Sequence, residues 1–278
     1  MRTVRATRYV TPLREGGSLP AIVEGDDDGL YVAKFRGAGQ GVKALVAEQI
    51  AGELARVAGL RVPELVLLEV DPALGRNEPD YEIRQLLKAS AGTNLGVDYL
   101  PGSVTFDPAA GPPPGAELAS AVVALDAFVA NVDRTARNTN LLVWHRELWL
   151  IDHGAALTFH HAWEQYPRGP APPRAELGGA PPRVARDTAR APFPAVKDHV
   201  LLPWAADLPD AVARLRERLD PASLGRVVAA VPDAWLVGGP TFPEPAAHRA
   251  AYVDHLARRL EAAELWLTEA ERARALLV

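Results

Sequence analysis

The sequence predicts an α+β protein in two parts: a small antiparallel sheet with one helix, then a mainly helical part. Three observations lead there. Short apolar runs separated by turns fill residues 7–35 and recur at Glu64–Val70 and Tyr81–Leu87, the pattern of a sheet of about five strands. One long amphipathic stretch, Val42 to Ala58, interrupts them. Beyond residue 90 the apolar residues take helical spacing, apart from one short hairpin. The boundary is placed there, giving 1–90 and 91–278.

The chain has 278 residues, enough for one large domain or two modest lobes. Its 48% hydrophobic and 23% charged content is that of a soluble globular protein. With a net charge of −5 and no dense Lys/Arg cluster, a direct nucleic-acid partner is not expected. Cysteine is absent, which excludes disulfides and thiolate metal sites. The opening MRTVRATRYV lacks the apolar core of a signal peptide, and no run of about 18 apolar residues suggests a membrane span. A cytoplasmic location is therefore expected. The only lysines are Lys34, Lys43, Lys88 and Lys197 in an arginine-rich chain, so each is worth a question.

Taken in order, the first elements are strands. Arg14–Pro20 is a turn in which Gly16 and Gly17, before Ser18, could bring backbone N–H groups close to a phosphate. Ala21–Val23 and Leu30–Phe35 flank the acidic turn 24–29. Lys34 lies two residues after Val32 and so shares its face. In the helix 42–58, Val42, Val46, Ile50, Leu54 and Val57 form an apolar stripe. Ala44, Ala51, Gly52 and Ala55 surround Glu48 on the other side, so something packs closely there too. A carboxylate in that position needs a cation, and Lys34 on the preceding strand is the obvious one.

The link between strand and helix reads G-x-G-x-G over Gly37–Gly41, which is not the dinucleotide-binding spacing. No G-x-x-x-x-G-K-[ST] occurs. Gly59 is a helix-ending glycine. Residues 95–115 are Gly/Pro-rich and read as irregular. Ala116–Asn131 reads as a helix that contains Asp126, either an anchor for the loop that follows or an exposed group. The stretch 164–194 is crowded with Pro, Gly, Ala and Arg and reads as an insertion. Helices follow at Leu208–Leu219 and Ala222–Ala230, then Ala246 to about Leu277 as one helix or two joined near Thr268.

The organising stretch is 129–154, VANVDRTARNTNLLVWHRELWLIDHG. Asn140–Trp144 and Leu148–Ile151 read as strands, with His145, Arg146 and Glu147 as the turn. A hairpin returns its end to the level of its start, so Asp133, Asn138 and Asp152 converge on one rim. Hard oxygens of this kind suit Mg²⁺ when phosphates supply the remaining ligands. A carboxylate left off the metal can take the proton of an attacking hydroxyl. These are the parts of a kinase catalytic loop and its metal-binding aspartate. A histidine-based metal cluster of His160, His161, Asp152, Asp198 and His199 matches no trusted ligand spacing.

With these residues in view, the chain resembles the HipA-like kinase family. YVAKFRGAGQG…ALVAEQIAGELARVAGLRVP is similar to that family's lysine strand and following helix, and ANVDRTARNTNLL and LIDHGAAL to its catalytic loop and metal motif. The D-x-x-x-x-N loop also recurs in phosphoinositide kinases. The resemblance implies a two-lobed protein-kinase-like fold with a nucleotide-binding lobe over 1–90 and a catalytic helical lobe over 91–278. It implies ATP and Mg²⁺ as cofactors, Lys34 on the phosphates and paired with Glu48, Asp133 as catalytic base, and Asn138 and Asp152 on the metal. Gly16, Gly17 and Ser18 would cover the phosphates, and Leu86, Leu87 and Lys88 would approach the adenine as a hinge. The stretch 164–194 would then stand where an activation segment lies. The acceptor would be a hydroxyl, on a protein Ser/Thr or on a small molecule. The alternative is a non-catalytic nucleotide-binding or interaction module on the same fold. Two departures stand out: the metal motif is Asp152-His153-Gly154 with no Phe, and the chain is shorter than toxin-type relatives, whose extra N-terminal domain is not expected here.

Overall fold

The computed structural model describes residues 1–13, 19–39, 41–76, 78–110, 112–165, 187–237, 241–242 and 244–277. Its first part is built from strands whose alternate residues turn inward. β1 (Thr3–Pro12), β2 (Ala21–Gly25), β3 (Leu30–Lys34), β4 (Leu65–Val70) and β5 (Gly92–Asp98) close into a barrel in the order β1-β2-β3-β5-β4. This corrects the expected antiparallel sheet, because β1 and β4 pair in parallel through Thr3–Arg5 and Leu67–Glu69 and so seal the edge. Val4, Ala6, Val23, Tyr31, Ala33, Val66, Leu68 and Val70 form the core of the barrel.

Two further corrections follow. Tyr81–Leu87 is not a strand; Tyr81–Ala89 is a helix, α2. Asp80 caps it, accepting hydrogen bonds from the N–H groups of Glu82 and Ile83 at 2.8 and 3.3 Å. Leu87 on α2 packs into the barrel core, with Ile83 and Leu86 against it. The strand that closes the barrel is instead β5, which runs into the start of the stretch read as irregular. It pairs with β3 and β4 and lies beyond residue 90, so the sheet extends past the boundary expected there.

Helix α1 (Gly41–Val57) lies between the barrel and the rest. Leu45, Ile50 and Leu54 share one core with the outward faces of β4 and β5 (Leu65, Leu95, Val97) and with the helical part. That part holds α3 (Ala116–Val129), α4 (Leu208–Arg218), α5 (Pro221–Ala229), α6 (Asp233–Leu236), α7 (Pro245–Glu261) and α8 (Ala263–Ala275). The break in the last helical run falls at Ala262, six residues before Thr268. A small sheet of β6 (Val104–Thr105), β7 (Leu141–Trp144) and β8 (Glu147–Leu150) carries the hairpin. Its turn is only His145-Arg146, both at positive φ, while Glu147 pairs with Trp144. Among the described residues no helix is long and apolar enough to cross a membrane. Most of the stretch 164–194 lies outside them.

Candidate active site

Lys34 ends β3 on the face that turns toward α1. Its Nζ donates to Glu48 Oε2 at 2.7 Å and to Asp152 Oδ1 at 2.6 Å. The pairing with Glu48 follows the sequence expectation. The link to Asp152, which ties the barrel to the end of the hairpin, was not foreseen. Glu48 is 1% exposed. Burial pushes its carboxyl up, but Lys34 and then His153 outweigh that and hold it down at about 2. For Lys34, burial pulls the ammonium down, and the two carboxylates more than reverse it, leaving it raised.

The small face of α1 meets the Asp152-His153-Gly154 segment that follows the hairpin. His153 is fully buried with Nδ1 3.6 Å from Glu48 Oε1. A Cβ on Gly52 would sit 2.9 Å from Leu65 Cδ1 and 3.8 Å from His153 Nδ1. The tight contact is with β4, so a side chain at position 52 would press on Leu65, while His153 would stay at ordinary contact distance. Asp152 itself has φ +54°, a conformation that Asp tolerates better than most residues.

Asp133 lies in the loop four residues after α3 and is half-buried. Its Oδ2 accepts from Asn138 Nδ2 at 2.8 Å and from Asn140 Nδ2 at 3.3 Å. Its loop hangs from a buried knot that sequence reasoning left open. Asp126 Oδ2 accepts from Arg134 Nε at 2.5 Å and from His199 Nε2 at 3.0 Å, while Oδ1 accepts from Asn131 Nδ2 at 3.0 Å. The Leu201 N–H donates to His199 Nδ1 at 3.0 Å, which leaves Nε2 as the donor to Asp126. Arg134 also donates to the Asn140 carbonyl, joining the loop to the hairpin. Burial opposes the charge on Asp126, but Arg134 and His199 overcome it and keep the carboxyl far below its usual range. Asp126 is thus an anchor rather than an exposed group.

These groups border a cleft of about 1260 Å³ between barrel and hairpin. Lys34, Asn138 and Asp152 line it, with Val32, Leu141 and Ile151 as apolar surface. Asp133 stands behind Asn138. Leu86, Leu87 and Lys88 are not brought to it; they lie on α2, whose apolar side is committed to the barrel core. Asp98, Tyr99 and Leu100, directly after β5, line it instead. Gly16, Gly17 and Ser18 lie outside the described residues, but Leu13 and Pro20 on either side line the cleft, joined by Leu13 N–H to Pro20 C=O at 2.7 Å. The imagined histidine cluster does not form. His199 serves Asp126, while His160 meets Tyr252 and His161 at 3.0 and 3.2 Å. No group of three or more His, Cys, Asp or Glu suited to a metal occurs among the described residues. The carboxylate of Asp152, about half exposed, and the amide oxygen of Asn138, which makes no hydrogen bond among those residues, instead form a two-oxygen set that phosphates could complete.

A family model for HipA-like kinases matches residues 7–166. No curated protein matches the chain. The crystal structure of a Helicobacter pylori proinflammatory kinase, CtkA, is similar in fold. The TM-score is 0.57, at 14% sequence identity, over 99% of this chain and 100% of that one.

Proposed function

Since the chain belongs to the HipA-like kinase family, and so among kinase-type phosphotransferases, we propose that it transfers the γ-phosphoryl group of ATP to a hydroxyl, in a protein Ser or Thr side chain. The observation that carries this reading is the ion chain Glu48–Lys34–Asp152 at the same cleft as Asn138, with Asp133 directly behind it. Lys34 holds the nucleotide phosphates, and Glu48 fixes the ammonium. The barrel part supplies the nucleotide's apolar surface, with Asp98–Leu100 in place of the hinge expected on α2. Phosphoryl transfer needs little covalent help from the protein, so positioning and charge supply most of the acceleration.

The residues present suit magnesium: Asn138 and Asp152 would hold it, and when bound it neutralises phosphate charge. Asp133 is held at one carboxylate oxygen, Oδ2, by two amide donors, and would take the acceptor's proton. Incubation with γ-labelled ATP and Mg²⁺ tests the reading. Label should appear on the acceptor or on the protein itself, and should be lost in Asp133→Ala and Asp152→Ala variants that still fold. Nucleotide binding by the wild type with no transfer under any condition would favour a binding module instead.

A further inference from the structure

The loop 133–138 contains two arginines with opposite environments. Arg134 is buried in the knot around Asp126. Arg137 is exposed, lines the cleft, and makes no ion pair or side-chain hydrogen bond among the described residues. Its position is fixed by a turn. The Thr135 N–H donates to the Asn138 carbonyl at 2.9 Å, and the Asn138 N–H to Thr135 Oγ1 at 3.3 Å, which puts Ala136 and Arg137 at the apex. The turn is tied in turn to Asp133 through the Asn138 amide at 2.8 Å.

Lys34 and Arg137 are the cations among the described residues that line the cleft, against the carboxylates of Asp98, Asp107 and Asp152. The charge of Lys34 is already shared between Glu48 and Asp152. Arg137 is the cation with its charge and its fork of donors uncommitted, next in sequence to Asn138. A guanidinium offers two parallel N–H groups to phosphoryl oxygens, which a single ammonium cannot.

We propose that Arg137 is a further catalytic residue that binds the γ-phosphoryl oxygens during transfer; this rests on the phosphotransferase reading above. In that step the acceptor oxygen forms its bond to phosphorus as the bond from phosphorus to the β–γ bridging oxygen breaks. The acceptor's proton passes to Asp133, and the bonding electrons leave on ADP. Arg137 holds the non-bridging oxygens of the group in flight.

The test compares the wild type with Arg137→Gln and Arg137→Lys by equilibrium binding of ADP with Mg²⁺, with and without aluminium fluoride, which mimics the group in transfer. The wild type should bind the fluoride complex at least about tenfold more tightly than ADP alone. Arg137→Gln should lose most of that gain while its ADP affinity and melting temperature stay unchanged, and Arg137→Lys should recover part of it. In turnover, kcat of Arg137→Gln should fall by about 10²-fold with the KM for ATP within about twofold. Equal gains in wild type and Arg137→Gln, no gain in the wild type, or parallel loss of ADP and fluoride-complex affinity would each overturn the role. A wild type that binds no nucleotide overturns the phosphotransferase reading as well, whereas a wild type and an Arg137→Gln variant of equal rate overturn this assignment alone.

Discussion

Glu48 and Asp126 are carboxylates at 1% and 0% exposure, and each remains charged because cations reach it inside the protein. Such groups make acid the natural perturbant. The folded pKa of Glu48, about 2, is below its ordinary 4.5, so its contribution is complete above pH 4.5 and is lost as the pH falls toward 2. Glu48→Gln should therefore flatten the dependence of the urea midpoint on pH across that window, and an unchanged slope would show that the charge contributes nothing there. Removing a cation while its carboxylate stays buried is costlier. Arg134→Met leaves Asp126 with only His199 and Asn131, and is expected to lower stability by about 3–5 kcal/mol in urea titrations. The pairing of Lys34 with Glu48 could be read from sequence because strand and helix are adjacent and small residues flank the carboxylate. The knot could not. Its third member, His199, lies 73 residues from Asp126, and no local pattern marks an aspartate within an apolar helix as buried.

At the scale of elements, α1, α3 and the hairpin were legible because their apolar spacing is long or their turn is short. The two misreadings have opposite physical origins: over 81–87 the local helix preference holds, whereas at β5 the barrel overrides local preference. YEIRQLL places Ile83, Leu86 and Leu87 at spacings that suit a helix, and the signal that settled it was Asp80 just before them. In β5, GTNLGVD is a poor strand former by composition, yet closure requires a strand there and requires it to be thin. A Cβ on Gly96 would sit 2.7 Å from Val66 Cγ2 on the neighbouring strand. The hinge expectation failed with the strand that carried it. Leu87→Ala should accordingly cost about 2–5 kcal/mol of stability, as a core truncation does, and leave nucleotide affinity unchanged. A hinge residue would behave in the opposite way, so urea unfolding and nucleotide titration of this one variant separate the two roles.

For the whole molecule, the decisive feature is that the cleft is assembled from parts distant in sequence. Lys34 comes from the barrel, Glu48 from the helix behind it, and Asp133, Asn138 and Asp152 from the loop and hairpin. A ligand that touches Lys34, Asn138 and Asp152, the members that line the cleft, stabilises the fold as a unit. At 100 times its dissociation constant, ATP with Mg²⁺ should add about 2.7 kcal/mol, or about 5 °C in melting temperature for a chain of this size. Variants should divide that shift according to position. Asp152→Ala removes an oxygen proposed to hold the metal and one partner of Lys34, so the magnesium-dependent part should vanish while some shift with ATP alone remains. Asp133→Asn keeps the shape and the side chain's place beside Asn138, so the full shift should persist even as transfer slows by about 10²–10⁴-fold. A loss of the shift in Asp133→Asn would place that residue in nucleotide binding and leave the reaction without its base. Melting curves with and without Mg²⁺, set beside transfer rates for the same variants, therefore decide which side chains bind the nucleotide and which act on it.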